Sequence, residues 1–184
     1  KLVSLRLKGL QLLRSRLGDQ TIHYHENGSY ELVMPHEAEC LNSMDNINEL
    51  LLPVIGQKAF SVADGQISSF KFNGVKHLIK NNAEGELDTG AMMQGLLALC
   101  RQMNIEVKTG CEVLQLLEEE TGVHVQCKAE PGNEPVSFKA KHVGVCTNAF
   151  SKRFFPGRHI EPGRGLVLIT KPIALIPFKG IFHF

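Results

Sequence analysis

The chain has 184 residues, of which 43% are apolar and 21% charged, with a formal net charge of +1. That length holds one ample domain or parts of two, the composition excludes intrinsic disorder, and the near-zero charge offers no attraction to nucleic acid or an anionic membrane. No run of about 18 apolar residues occurs, so no helix spanning a bilayer is expected; the most apolar tract, Leu166 to Phe184, is interrupted by Lys171, Pro172, Pro177 and Lys179.

In chain order, Leu2 to Leu17 carries Val3, Leu7, Leu10, Leu13 and Leu17 on one helical face, with Gly18 placed as its C-terminal cap. Its basic residues would suit a targeting peptide or a membrane-surface helix. It leads straight into a folded pattern, however, and a docking helix is the better reading. Thr21 to Tyr24 and Ser29 to Met34 flank Glu26-Asn27-Gly28, which predicts a β-hairpin. His23 and His25 then share a strand face, a solvated pair rather than a metal site, because no third ligand follows.

Pro35 to Ile55 predicts a second helix, with Leu41, Met44, Ile47 (or Asn48) and Leu51 as its buried stripe and Pro53 to Gly56 ending it. Phe60 to Phe72, turning at Asp64-Gly65, predicts a second hairpin, and Val75 to Ile79 a further strand. Asp88 is an N-cap candidate for a helix Thr89 to Met103. The stripe of Met92, Leu96, Leu99 and Met103, widened by Met93, Leu97 and Cys100, is broad enough to pack on a sheet. Asn104 suits the left-handed position after it. Ile105 to Lys108 joins through Thr109-Gly110 to a strand Glu112 to Leu117.

Gly122 to Lys128, Val136 to Ala140 and His142 to Thr147 are short strands separated by turns. They predict an antiparallel meander between two strands able to lie parallel, in place of a helical crossover. Glu118-Glu119-Glu120 is a solvated charge run at a hairpin turn. From Phe150 the chain leaves the sheet through an aromatic-anchored linker, passes Pro162-Gly163-Arg164-Gly165, and enters an apolar strand Leu166 to Thr170. The final Ile181-Phe182-His183-Phe184 reads as the middle of a strand. With no methionine at Lys1, an internal piece of a longer protein is the expectation.

Cys40, Cys100, Cys111, Cys127 and Cys146 are odd in number and contain no CxxC pair, so zinc ribbons and thiol redox motifs fall away. Reduced, mostly buried thiols in a cytoplasmic protein are expected. No metal site is.

Two stretches organise the rest: Glu84 to Val113 and Val143 to Pro172. A strand that stops at the small residues Thr147-Asn148-Ala149 exposes backbone N–H groups at its carboxyl end, the edge at which open α/β sheets bind ligands.

In order and spacing, EGELDTG, IEVKTGCEVLQL, KAKHVGVCTNAFSKRFFP and IEPGRGLVLITKPI resemble the FAD-dependent oxidoreductases of the D-amino-acid oxidase and glycine oxidase type. The resemblance covers about two thirds of the chain well. It implies a mixed α/β and α+β fold: part of an FAD-binding domain (helix, parallel strands and a β-meander crossover) plus part of an antiparallel-sheet substrate domain. By it, residues 1–82 belong mostly to the substrate domain, 83–150 to the FAD-binding domain, and 151–184 to the crossing and the return. It also implies that Val113 offers its backbone to the adenine end of FAD. Thr147, Asn148 and Ala149 would line the ribose and pyrophosphate. The expected activity of the parent protein is oxidation of an amine or amino acid by hydride transfer to flavin, with this fragment alone inactive and binding FAD weakly or not at all.

The family's strand–GxGxxG–helix is absent, because Gly163-x-Gly165 precedes a strand rather than a helix. Asn148 stands where glycine is frequent, and Leu166 where glutamine is. No catalytic residue is nominated, and for Arg164, the arginine near the domain crossing, a structural role is at least as good a reading. The alternative is a non-enzymatic α+β binding module that reuses the fold.

Overall fold

Helix α1 (Leu2–Leu17) forms as its apolar spacing requires, with Leu7, Leu10, Leu13 and Leu17 half-buried and Leu2, Leu5 and Leu12 exposed. It stops at Gly18, whose φ of 80° favours a residue without a Cβ and whose N–H closes on the Arg14 carbonyl at 2.8 Å. Arg14 then fastens this end of the helix to the loop after it. Its guanidinium donates to both oxygens of Asp19 at 2.8 and 2.7 Å, pairs with Glu26 at 2.8 Å and lies 4.2 Å over the Tyr24 ring. The computed structural model describes residues 1–163, 165–167, 169–171, 173–176 and 178–184. Contacts divide the chain into two units: Lys1–Ile105 with Pro172–Phe184, and Glu106–Lys171.

The first unit is built on a mixed four-stranded sheet, in the order β2 (Phe60–Val62), β3 (His77–Asn81), β1 (Ser29–Val33), β7 (Ile181–His183). Strand β3 runs antiparallel to both its neighbours, while β7 runs parallel to β1, with Ser29 opposite Ile181. Ile22, Tyr30, Val33, Ala59, Leu78 and Ile79 form the buried core. Beside it, Tyr30, Phe70, Phe72, Phe178 and Phe182 cluster with ring centroids between 4.9 and 6.0 Å apart, in mostly edge-on contacts. These rings hold β7 to β1 from one side.

Both expected hairpins are replaced by longer-range pairings. Thr21 to Tyr24 is a turn, with His23 at φ 49°, and it forms no strand with Ser29 to Met34. The Asn27 side chain donates instead to Glu86, and the Gly28 N–H bonds to the Glu84 carbonyl at 3.1 Å, so residues 25–28 run beside residues 84–86. A Cβ on Gly28 would sit 2.6 Å from the Asn81 carbonyl oxygen, so this close passage needs glycine. In the second case Asp64 starts a helical turn, Asp64–Gln66, followed by α3 (Ile67–Phe70). The Asp64 carboxylate takes the Leu78 N–H and the His77 ring nitrogen, each at 2.8 Å, and β2 pairs with β3 rather than with Ile67 to Phe72.

The single helix expected over Pro35 to Ile55 is two pieces: a 3₁₀ segment, Pro35–Ser43, and then α2 (Met44–Ile55). Of the two residues offered for its stripe, Asn48 is buried and Ile47 exposed. The Asn48 amide gives to the Phe60 carbonyl and takes from the Phe60 N–H, both at 2.9 Å, substituting for a missing strand partner of β2. The helix runs past Pro53 and ends at Gly56, φ 81°.

Helix α4 (Thr89–Gln102) is capped by Asp88, whose Oδ1 accepts the Ala91 N–H at 2.9 Å, and is followed by Asn104 at φ 54°. Its face does not cover a sheet as expected. No residue of it is buried, Met93 and Met103 are exposed, and Gly95 brings it close to Leu17 and Thr21 at the end of α1.

The second unit holds an antiparallel meander of β4 (Cys111–Glu119), β5 (Gly122–Ala129) and β6 (Glu134–Ala140), with a bulge between Val113 and Gln115. The run Ile105 to Lys108, expected to join the strand Glu112 to Leu117, and the run His142 to Thr147, expected as a strand, flank the meander. Neither is in a strand, because among the described residues no strand lies alongside to complete a ladder. Of the expected strand Leu166 to Thr170, Leu168 lies outside the described residues, as does Arg164 in the crossing segment. Leu166, Val167 and Ile169 are exposed and in no strand.

All five cysteines are free, but only Cys127 is buried; Cys40 and Cys146 are exposed, so the thiols are not mostly buried. Burial, with Cys111 beside it, pushes the Cys127 thiol pKa up. Among the described residues no helix is long and apolar enough to cross a membrane.

Candidate functional site

Val113 stands in β4, half-buried and paired with Cys127, immediately before the bulge at Leu114. A bulge re-aims the strand and interrupts its ladder, so the backbone beside Val113 is less fully engaged than that of the strand beyond. Thr147 precedes a 3₁₀ turn, Asn148–Arg153, and its carbonyl accepts the Phe150 N–H at 2.9 Å while its hydroxyl lies 3.0 Å from Ser151 Oγ. Asn148 adopts the left-handed φ of 45°, the region where glycine is at ease and asparagine is the best-tolerated substitute. Asn148 and Ala149 are exposed.

The approach to this turn is unusual for an apolar run. Among the described residues, no hydrogen bond engages the backbone of residues 142–146, and a Cβ at Gly144 would meet open space. Residues 142–144 and 146 are exposed, so these backbone groups face solvent, and the small residues that end the run permit the close approach to backbone that nucleotide sites need. The glycine-rich phosphate turn of such sites is not in this sequence.

Two residues with no functional role in the sequence patterns join these segments: Arg153, in the linker after Phe150, donates to Glu112 Oε1 at 2.6 Å, and Glu112 is the neighbour of Val113. The Arg153 hydrogen bond and charge, helped by Lys128 across the ladder, hold the Glu112 carboxyl below the usual range. Nothing local in the sequence marks this pair, because the partners are 41 residues apart.

Elsewhere, the first unit has an apolar groove of about 430 Å³ lined by Leu7, Leu10, Leu51, Ile55 and Phe60, with Arg6, Asn81 and Glu84 as polar members. His23 and His25 do not share a strand face as expected: His23 sits in a turn, 3.9 Å from Asp88, and His25 in an isolated bridge to Glu86; among the described residues no group of three His, Cys, Asp or Glu side chains is placed to hold an ion.

The family model for FAD dependent oxidoreductases of the DAO type matches residues 1–182. The chain belongs to this family. Among solved structures it is similar to glycine oxidase from Geobacillus kaustophilus, with a TM-score of 0.61 at 18% identity over 84% of this chain and 40% of that one. It is also similar to L-proline dehydrogenase from P. horikoshii, with a TM-score of 0.61 at 13% identity over 82% of this chain and 39% of that one. L-amino acid deaminase from Proteus vulgaris follows at 0.58 and 17%, over 84% and 35%. At these identities the likeness is one of fold, a mixed α/β architecture, and the chain spans two fifths or less of each relative's length. No curated protein matches the chain by sequence.

Proposed function

We propose that the chain supplies one wall of an FAD site and part of a substrate domain in an oxidoreductase that acts on an amine or amino acid. The observation that carries this reading is that the chain belongs to the DAO family over residues 1–182, with the small-residue turn at Thr147 following exposed backbone at residues 142–144. In this reading the Val113 backbone meets the adenine end, and Thr147, Asn148 and Ala149 line the ribose and pyrophosphate, where small side chains permit close approach. Residues 83–150 belong to the FAD-binding part. Residues 1–82 and 151–184 contribute the substrate-facing part and the crossing between the two.

Held by the Val113 backbone and by Thr147, Asn148 and Ala149, FAD would supply a hydride acceptor for oxidation of an amine-bearing carbon. Substrate selection is assigned to amines and amino acids because the similar structures include a glycine oxidase, a proline dehydrogenase and an amino acid deaminase. The exposed free thiols of Cys40 and Cys146 fit a reducing, cytoplasmic setting.

The test is purification of the full-length protein that contains this chain. It should carry stoichiometric flavin, and the flavin absorbance should bleach anaerobically when the right member of a panel of amino acids and amines is added. A colourless protein that takes up no added FAD would overturn the reading and leave the non-enzymatic binding module in its place.

A further inference from the structure

The two parts of the proposed nucleotide wall come from different places in the second unit: a strand of the meander, and a turn reached after the meander ends. Each is firm within itself. Strand β4 is laddered to β5 on both sides of the bulge at Leu114. The turn is closed by the Phe150 N–H on the Thr147 carbonyl at 2.9 Å, the Thr147 and Ser151 hydroxyls at 3.0 Å, and the N–H groups of Phe154 and Phe155 on the Ser151 carbonyl, each at 3.0 Å. Among the described residues, the bond from Arg153 to Glu112 is the one hydrogen bond between residues 142–163 and strands β4 to β6. It joins the last residue of the turn to the residue next to Val113.

We infer that Arg153 and Glu112 are a positioning pair, an ionic clasp that sets the spacing between the Val113 backbone and the Thr147–Ala149 turn and thereby tunes affinity for the adenosine diphosphate half of the cofactor. The inference rests on the proposed function. Because the turn is internally locked, a shift at Arg153 is passed to Thr147 rather than absorbed between them. Both side chains are about half exposed, at 49% and 54%. Exposed ion pairs contribute little to folding, so removing this one separates positioning from stability. The contact is a single Nη1–Oε1 bond, and arginine keeps its charge at every pH of interest.

The experiment titrates FAD, and separately ADP, into the full-length apoprotein while following flavin fluorescence for FAD and competition against it for ADP. Arg153→Met and Glu112→Gln should each weaken both ligands by about three- to fivefold, with no change in the melting temperature of the apoprotein. The exchanged pair, Glu112→Arg with Arg153→Glu, should restore most of the affinity. Unchanged affinity in both single variants overturns the inference, and so does a loss for FAD that ADP does not share. A fall in apoprotein melting temperature that the exchange fails to repair also overturns it, since the pair is then merely structural. If the unaltered protein binds no FAD, the proposed function itself has failed, which is a different result from variants that match a flavin-binding parent.

Discussion

The two sheets of this chain are stabilised differently. In the first unit, Ile22 and Leu78 are fully inaccessible, and Tyr30, Val33, Ala59 and Ile79 are close to it. In the meander of the second unit, Cys127 is the one buried apolar residue among those described. Since burial of apolar area dominates folding stability, the four-stranded sheet carries its own core. The meander is held mainly by its ladders and leaves both faces and its flanking segment accessible. A region with a closed core is where a scaffold is anchored.

The largest effect should come from striking that core. Leu78→Ala is expected to cost about 2–5 kcal/mol, the range for truncating a fully buried leucine, read by urea unfolding of the full-length protein. The matched change at the centre of the meander, Val125→Ala, removes methyls that are only half-buried and should cost about 1 kcal/mol. Equal costs at the two positions would dissolve the contrast.

Next comes Asn48, one of three buried polar residues of the first unit, with Ser29 and Asn81. Its amide satisfies both backbone groups of Phe60, and Asn48→Ala should cost about 1–3 kcal/mol for the partners left unpaired. Asn48→Asp sharpens the point. At neutral pH its carboxylate accepts the Phe60 N–H but faces the Phe60 carbonyl oxygen without a proton to give. Acidification restores a donor, so this variant should recover relative to the parent as pH falls. A difference between the two melting curves that is the same at pH 7 and pH 4 would count against the pairing.

What could be read from the sequence follows the range of the signals. Helix α1 and its Gly18 cap, α4 with Asp88 before it and Asn104 after it, and the strands read over Glu112 to Leu117, Gly122 to Lys128 and Val136 to Ala140 all depend on neighbours within a few residues, and all are present, whereas His142 to Thr147 is not a strand. The first-unit sheet depends on distant partners: Ser29 lies opposite Asn81 on one side and Ile181 on the other. Asn27-Gly28 carries the local signature of a hairpin, but the Asn27 side chain is engaged by Glu86 and the Gly28 N–H by Glu84. Tertiary pairing overrides the turn signal. At the candidate site the same rule holds. Val113 and the Thr147 turn stand out as short patterns, while the bond that ties them is a pair of unremarkable surface charges until the chain is folded.

The smallest expected effect is a dependence on pH that only the first unit should show. Burial would raise the Asp64 carboxyl, yet the His77 ring and the Leu78 N–H together hold it below its ordinary 3.8. A carboxyl depressed in the folded state contributes stability that is fully present above its unfolded value and is lost as pH falls through the folded one. The melting temperature of the parent should therefore drop on acidification below about 4. Asp64→Asn keeps an acceptor for the Leu78 N–H but does not titrate, so its deficit relative to the parent should shrink through that window. Glu112 in the second unit is also depressed, by Arg153, but its solvent-exposed pair is screened. Glu112→Gln should leave the melting temperature parallel to the parent at every pH. An acid slope that disappears in the Glu112 variant and persists in the Asp64 variant would reverse the comparison, placing the stabilising charge on the sheet without a core.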